Sequence, residues 1–288
     1  MIKKIVKKFI SDKQKLSLKS SYHDLRVRLI NSFLSFDGEK LKTKLAQMGV
    51  KDTDTLLVHA NFNPDSGFKG TPQDVVVALM ELVGEKGNLL MVSIPFRGSS
   101  YDYLMKYKTF NVKKTISMMG LVTEMFRRKK GVLRSLHPTH PVLAYGKDSA
   151  WIVEGHEKCL FPCGPGTPFD KFRQLDGKIL FLDVDFGAIT FFHYVEDLTK
   201  DRLPFGVYNE KPFSVKVFDE HMAEHTVHTY AFNPDIKRNA FKLATEMKAR
   251  GMVHRAKVGN ATLLLVTAKD VIACQTSMVE SKKYPYDT

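Results

Sequence analysis

Four residues with side chains able to move a proton, Thr190, His193, Glu196 and Asp197, follow the apolar run Lys178 to Asp183. On a helix advancing about 100° per residue, the spacing gathers all four on one side and sends Phe191, Val195 and Leu198 to the other. An imidazole with carboxylates three and four residues on has the parts of a general base. The carboxylate fixes the ring tautomer and stabilises the imidazolium formed on proton uptake. A base of this kind suits an amine nucleophile, which is mostly protonated at neutral pH. The same spacing also fits an ordinary solvated helix face with polar pairs, and spacing alone leaves both readings open.

Two further segments carry polar groups at useful positions. Arg134-Ser135-Leu136-His137-Pro138-Thr139-His140-Pro141 holds two histidines, an arginine and a serine on a chain that two prolines stiffen. It can bind phosphate, line a pocket or serve as a loop. Ser66-Gly67-Phe68-Lys69-Gly70 leads into Thr71-Pro72, an N-cap followed by proline at the first helical position. Free amides at such a helix start favour an anion, although the segment is neither a Walker loop nor a Gly-x-Gly-x-x-Gly fingerprint. Cys159, Cys163 and Cys274 lack a second ligand pair for zinc, and no metal site is expected.

The elements that must position these groups alternate between strand and helix. Thr55 to His59 reads as a buried strand, Thr71 caps a helix with Val75, Val76, Leu79, Leu82 and Val83 as its apolar stripe, and Asn88 to Pro95 is a second strand. Strand, helix and strand in this order make a βαβ unit, and a partly parallel sheet covered by helices follows. Helices are expected at Gly38 to Val50, Met119 to Arg128, Gly187 to Lys200, Asp235 to Arg250 and Thr267 to Met278. Strands are expected at Pro141 to Tyr145 and Lys178 to Asp183, with a hairpin at Phe213 to Phe218 and Glu224 to Tyr230.

The 288 residues carry a formal charge of +13, which draws anions. Neither Lys3 to Lys19 nor Arg127 to Lys130 brings a nucleic-acid-binding motif, so no nucleic-acid partner is expected. Ile2, Ile5, Val6, Phe9 and Ile10 oppose Lys3, Lys4, Lys7 and Lys8 on a short basic amphipathic helix. That helix can pack on the body, on a partner subunit, or on an anionic membrane surface. No apolar run is long enough to span a bilayer, and no signal peptide is visible. The expectation is a cytoplasmic protein, with peripheral contact at the inner membrane surface and a homodimer both left open.

Five ordered blocks resemble the aminoglycoside 3-N-acetyltransferase family: Leu57-Val58-His59-Ala60; Gly70 with Val83-Gly84 and Gly87; Arg134-Ser135 with His137 to His140; Asp176 to Leu180; and Thr190, His193 and Glu196. The resemblance implies an α/β protein with three α/β/α layers around a mixed central sheet. A basic helical extension over residues 1–50 would precede an acyltransferase domain over residues 51–288. It further implies direct transfer of an acyl group from acetyl-CoA, or another acyl-CoA, to an amine. His193 would be the base, Glu196 its partner and Thr190 the third member. His59, Asn61, Gly70, Thr71, Arg134, Ser135 and His137 would hold pantetheine and phosphates. Departures from the family pattern at Asn61, at Cys163 to Pro168 and at Asp183 fall where donor and acceptor should meet, so Thr167, Asp183 and Asp185 are candidates for substrate contact. Because polycation receptors present carboxylates, the charge of +13 favours an anionic nucleotide- or lipid-linked amino sugar from surface polysaccharide synthesis. An aminoglycoside antibiotic and a non-catalytic CoA- or membrane-binding role are the alternatives.

Overall fold

The computed structural model describes residues 12–287. The basic amphipathic helix read at Ile2 to Ile10, for which packing on protein and contact with a membrane are both open, lies outside them. No described helix is long and apolar enough to cross a membrane.

The strands in chain order are β1 (Thr55–Ala60), β2 (Asn88–Val92), β3 (Thr109–Asn111), β4 (Leu133–Arg134), β5 (Val142–Gly146), β6 (Lys178–Leu182), β7 (Phe213–Phe218), β8 (Glu224–Thr229), β9 (Lys237–Arg238), β10 (His254–Val258), β11 (Ala261–Thr267) and β12 (Tyr286–Asp287). Seven of them form the main sheet in the order β10-β11-β6-β1-β2-β5-β4. The centre, β6-β1-β2, is parallel, and antiparallel strands extend it on both sides, giving the mixed sheet expected.

Alternation along β1 explains the two layers of packing, because successive side chains leave opposite faces of a strand. Leu56 and Val58 enter one core with Leu41, Leu45, Val76 and Leu79, whereas Leu57 enters the other with Phe169, Phe181, Phe191 and Val271. The first core lies under helices Gly38–Gln47, Pro72–Val83 and Leu121–Arg127, and the second under Pro168–Gln174, Phe192–Leu198, Ala240–Ala249 and Ala268–Glu280. Phe36, Leu41, Leu45 and Val50, from the segment assigned to an extension, are buried in the first core.

Several boundaries differ from the sequence reading. The helix read over Gly187 to Lys200 is a 3-10 turn at Phe186–Ala188 followed by a break and a helix at Phe192–Leu198. Thr190 therefore sits in the approach to the helix and not on it. The helix expected over Thr267 to Met278 spans Ala268–Glu280, and β10 and β11 precede it as an antiparallel pair absent from the sequence reading. The hairpin of β7 and β8 forms as expected, but it takes β3 as a parallel third strand and builds its own small core from Leu104, Phe110, Val112, Val215 and Val227.

Candidate active site

The turn between Asp185 and Phe192 drops the helix Phe192–Leu198 onto the second core, with Phe192 and Val195 buried in it. The other face is not solvated. Glu196 is 0% exposed and Asp197 1%, while Leu198, read as an apolar-face residue, is 40% exposed. A carboxylate is buried only with partners, and Glu196 has two: His193 Nδ1 at 2.9 Å and Arg238 Nε at 2.9 and 3.0 Å from its two oxygens.

The burial of Glu196 and Asp197 removes the solvated-face reading and leaves His193 oriented. A carboxylate only accepts, so Nδ1 of His193 carries the proton and Nε2 keeps its lone pair. The His193 side chain is 22% exposed and stacks on Phe232 with ring centroids 4.2 Å apart. Burial pushes the His193 imidazole below its ordinary value, the Glu196 hydrogen bond and charge pull it back, and Arg238 pushes it down. Burial raises the Glu196 carboxyl, and the bonds and charges of His193 and Arg238 outweigh it, so the group stays ionised. The result is a neutral, oriented imidazole backed by a negative charge.

Two clefts meet at His193. The larger, of about 520 Å³, is lined by Ile94, Phe96, Arg97, Met119, His140 and Phe232 among others, and the smaller, of about 330 Å³, by Gly187, Ile189, Asn239, Phe241 and Asp287; His193 and Arg238 line both. A groove of about 610 Å³ walled by Tyr103, Lys106 and Tyr107 continues the larger cleft through Phe96, Arg97 and Ser99.

The remaining residues picked from the sequence are distributed unevenly. Ser135 is buried, with its hydroxyl 2.8 Å from His156 Nδ1 and accepting from Val142 N. His137 is 0% exposed. Its Nδ1 accepts from the amides of Thr139 and His140, and Nε2 meets Thr229 Oγ1 at 3.1 Å. Burial, the neighbouring His156 and His140 hold it well below the ordinary histidine range. Both are internal ties, and what they present to the larger cleft is His140. Arg134 is buried too, donating to the carbonyls of Val112, Thr115 and Ser93 and lying over the Phe110 ring; burial brings its guanidinium down to about 9. It pins the small three-stranded sheet to the main one.

Thr71 and Gly70 start the helix Pro72–Val83 as expected, but Asp74 closes that end. Its carboxylate takes the Thr71 amide at 2.7 Å and the Thr71 hydroxyl at 2.8 Å, leaving no vacancy for an anion at that amide. His59 points from the end of β1 against Phe181, with ring centroids 5.4 Å apart and a buried Nε2 that has no hydrogen-bond partner; burial lowers it to about 4. Asn61 is exposed beyond β1, its amide bonded to Leu182 O.

Thr167 is 0% exposed and donates to Gly164 O. Asp183 adopts φ +51°, the left-handed conformation that explains a glycine at this position in the family pattern and that aspartate tolerates. It bonds to Thr262 across the sheet and lines neither cleft. Asp185 accepts from the amide of Gly187, a wall residue of the smaller cleft. Thr190 contributes its carbonyl to the His193 amide. Arg238 and Phe232 went unnoticed in the sequence; they lie 40 and 34 residues beyond Leu198, the end of the helix, and no local pattern marks them. Among the described residues no cluster able to hold a metal ion is found.

Residues 57–280 match the family described as aminoglycoside 3-N-acetyltransferase. Aminoglycoside N(3)-acetyltransferase VII of Streptomyces paromomycinus is 26% identical over 270 residues, covering 85% of this chain and 93% of the relative. The prophage-derived acetyltransferase-like protein YokD of Bacillus subtilis is 28% identical over 174 residues, 55% of this chain and 64% of its own. In three dimensions the chain is similar to aminoglycoside acetyltransferase AAC(3)-Xa, with a TM-score of 0.76 at 20% identity over 91% of this chain and 98% of the other. It is also similar to AAC-IIIb in its binary complex with CoASH, with a TM-score of 0.73 at 21% identity over 88% and 99%. The class is that of acyl-CoA-dependent N-acyltransferases, with acetyl-CoA or another acyl-CoA as donor. Within it, the chain belongs to the aminoglycoside 3-N-acetyltransferase family.

Proposed function

We propose that the protein transfers an acetyl group from acetyl-CoA to an amine of an aminoglycoside-type acceptor, with His193 as general base. The observation that carries this reading is the position of His193 on the shared wall of two clefts, its Nδ1 fixed by a fully buried carboxylate. The larger cleft and its aromatic extension suit the donor, and the smaller one the amine. Nε2 accepts the amine proton as nitrogen attacks the thioester carbonyl. The N–C bond forms, the C–S bond breaks, and the proton passes from the imidazolium to the departing thiolate. Glu196 stabilises the imidazolium in between.

The expectation of an anionic polysaccharide precursor rested on net charge, and the charge is not where that reading needs it. Of the two arginines lining the larger cleft, Arg238 is paired with Glu196. Arg127 and Arg128 are bound to Glu124 beside a separate cavity. The smaller cleft is lined by Asp287, which Lys242 pairs at 3.0 Å and Asn239 bonds, with Asp185 bonded to its wall; the carboxylates keep further acceptor capacity, which suits a polyamine. The relatives named above support the same choice. The test is thiol release from acetyl-CoA with a panel of aminoglycosides and of amino-sugar nucleotides. Saturable release with the first set alone supports the proposal, and release with the second set alone refutes it.

A further inference from the structure

The geometry points to Arg238 as a positioning residue of the acetyl transfer, one that holds and neutralises the Glu196 carboxylate orienting His193. This rests on the role proposed for His193 and adds a residue 42 positions away from Glu196 in the chain.

A single Arg238 nitrogen, Nε, reaches both carboxylate oxygens, at 2.9 and 3.0 Å. The rest of the fork is fixed by carbonyls: one terminal nitrogen donates to Asn233 O at 3.2 Å and Ile236 O at 3.3 Å, and the other to Val207 O at 3.3 Å. Arginine alone has enough donors in one plane to serve a carboxylate and three carbonyls together. The guanidinium also lies over Phe232, 4.9 Å from the ring centroid, and Phe232 stacks on His193. Arg238 therefore reaches the base by two routes, through the carboxylate and through the ring. It is delivered by β9, whose pairing with β12 sets Arg238 opposite Tyr286.

The other groups around the pair supply no equivalent charge. His140, from the loop before β5, faces His193 with ring centroids 5.9 Å apart, and burial followed by the charges of His193, His156 and Arg238 keeps it neutral. Tyr286, Tyr208 and Cys163 are held protonated by burial first, with Glu196 or Asp197 adding to it. Asp197 is engaged by Tyr208 at 2.9 Å and Lys200 at 3.3 Å. Without Arg238, the full charge of a buried carboxylate would act on His193 and favour its protonated form, reducing the share of imidazole with a free lone pair.

The experiment compares Arg238→Met and Arg238→Lys in the full chain, reading the His193 imidazole by NMR titration without substrates and the pH dependence of kcat/KM with acetyl-CoA and an aminoglycoside. Loss of the charge should move the His193 titration and the acidic limb of kcat/KM upward together, by about half a pH unit or more. It should also lower kcat at neutral pH while KM for acetyl-CoA changes little. Arg238→Lys should return the limb toward its original position. A limb and titration that stay put in Arg238→Met, with only the melting temperature lowered, would show a structural brace and overturn the inference. Should Arg238→Met fail to fold, Arg238→Gln, which also removes the charge and keeps a donor, decides by the same titration: a His193 titration and acidic limb that stay put overturn the inference, and a joint upward shift supports it. The titration needs no turnover, so it still reads the role of Arg238 if His193→Gln proves fully active and the proposed base is wrong.

Discussion

Replacing Glu196 by glutamine changes one charge and almost no volume, and the structure fixes what should follow. In the parent protein the carboxylate is 0% exposed and bonded to His193 and Arg238. The amide can still accept from His193 Nδ1, so the tautomer survives, but the imidazolium formed during reaction loses its counter-charge and Arg238 loses its ion partner. Breaking one side of a buried ion pair costs about 3–5 kcal/mol. The Arg238 side chain remains 18% exposed and keeps three carbonyl acceptors, so the lower end, about 3 kcal/mol, applies. At roughly 2–4 °C per kcal/mol for a chain of this size, the melting temperature should fall by about 6–12 °C. Because Glu196 pulls His193 upward, its neutralisation should move the acidic limb of kcat/KM to lower pH while the plateau drops by about 10²-fold, as for a weakened general base. Calorimetry and a pH–rate profile read both effects. An acidic limb displaced to higher pH, or a plateau within twofold of the parent, would refute the coupling of Glu196 to His193.

Arg134→Met should lower the melting temperature through loss of the links to Val112, Thr115 and Ser93, yet leave KM for acetyl-CoA within about twofold, because these bonds hold protein and not ligand; a KM raised tenfold in folded protein would restore the expected role in donor binding. Acid should unfold the protein from the histidine range downward. The folded values of His59, about 4, and His156, about 3, lie below the unfolded value of about 6.5. The stability linked to these depressed groups is therefore present above pH ~6.5 and lost as pH falls toward their folded values. Circular dichroism should show a flatter dependence between about pH 6.5 and 4 in a folded His156→Gln variant, and an unchanged slope would contradict the assignment.

Much of the frame could be read from the chain, because β1, the helix Pro72–Val83 and β2 form a contiguous βαβ unit whose periodicity and cap are local properties. The strands β10 and β11 were hidden: His254–Val258, at the sheet edge, mixes basic and apolar residues, and Ala261–Thr267 runs straight into the helix that follows. At the site, the pairing of His193 with Glu196 followed from their spacing. That the polar face is buried did not, because its burial depends on Arg238 and Phe232 arriving from a distant segment. The histidine-rich loop stood out by its composition, but which of its side chains face the cleft depends on its long-range packing: His137 and Ser135 are turned inward to hold the loop, and His140 is the residue it presents to the cleft. The helix start at Thr71 had the right cap for a helix, and the same Asp74 that perfects the cap occupies the amide an anion would need.

The central claim, that His193 serves as base for acetyl transfer to an aminoglycoside, is tested most directly by thiol release from acetyl-CoA in the presence of gentamicin or kanamycin, comparing the parent protein with His193→Ala. The account predicts saturable release by the parent and a rate lowered by roughly 10²-fold or more in the variant, with its fold intact by circular dichroism. Equal rates for the two proteins, or no release by the parent with any aminoglycoside, would contradict it.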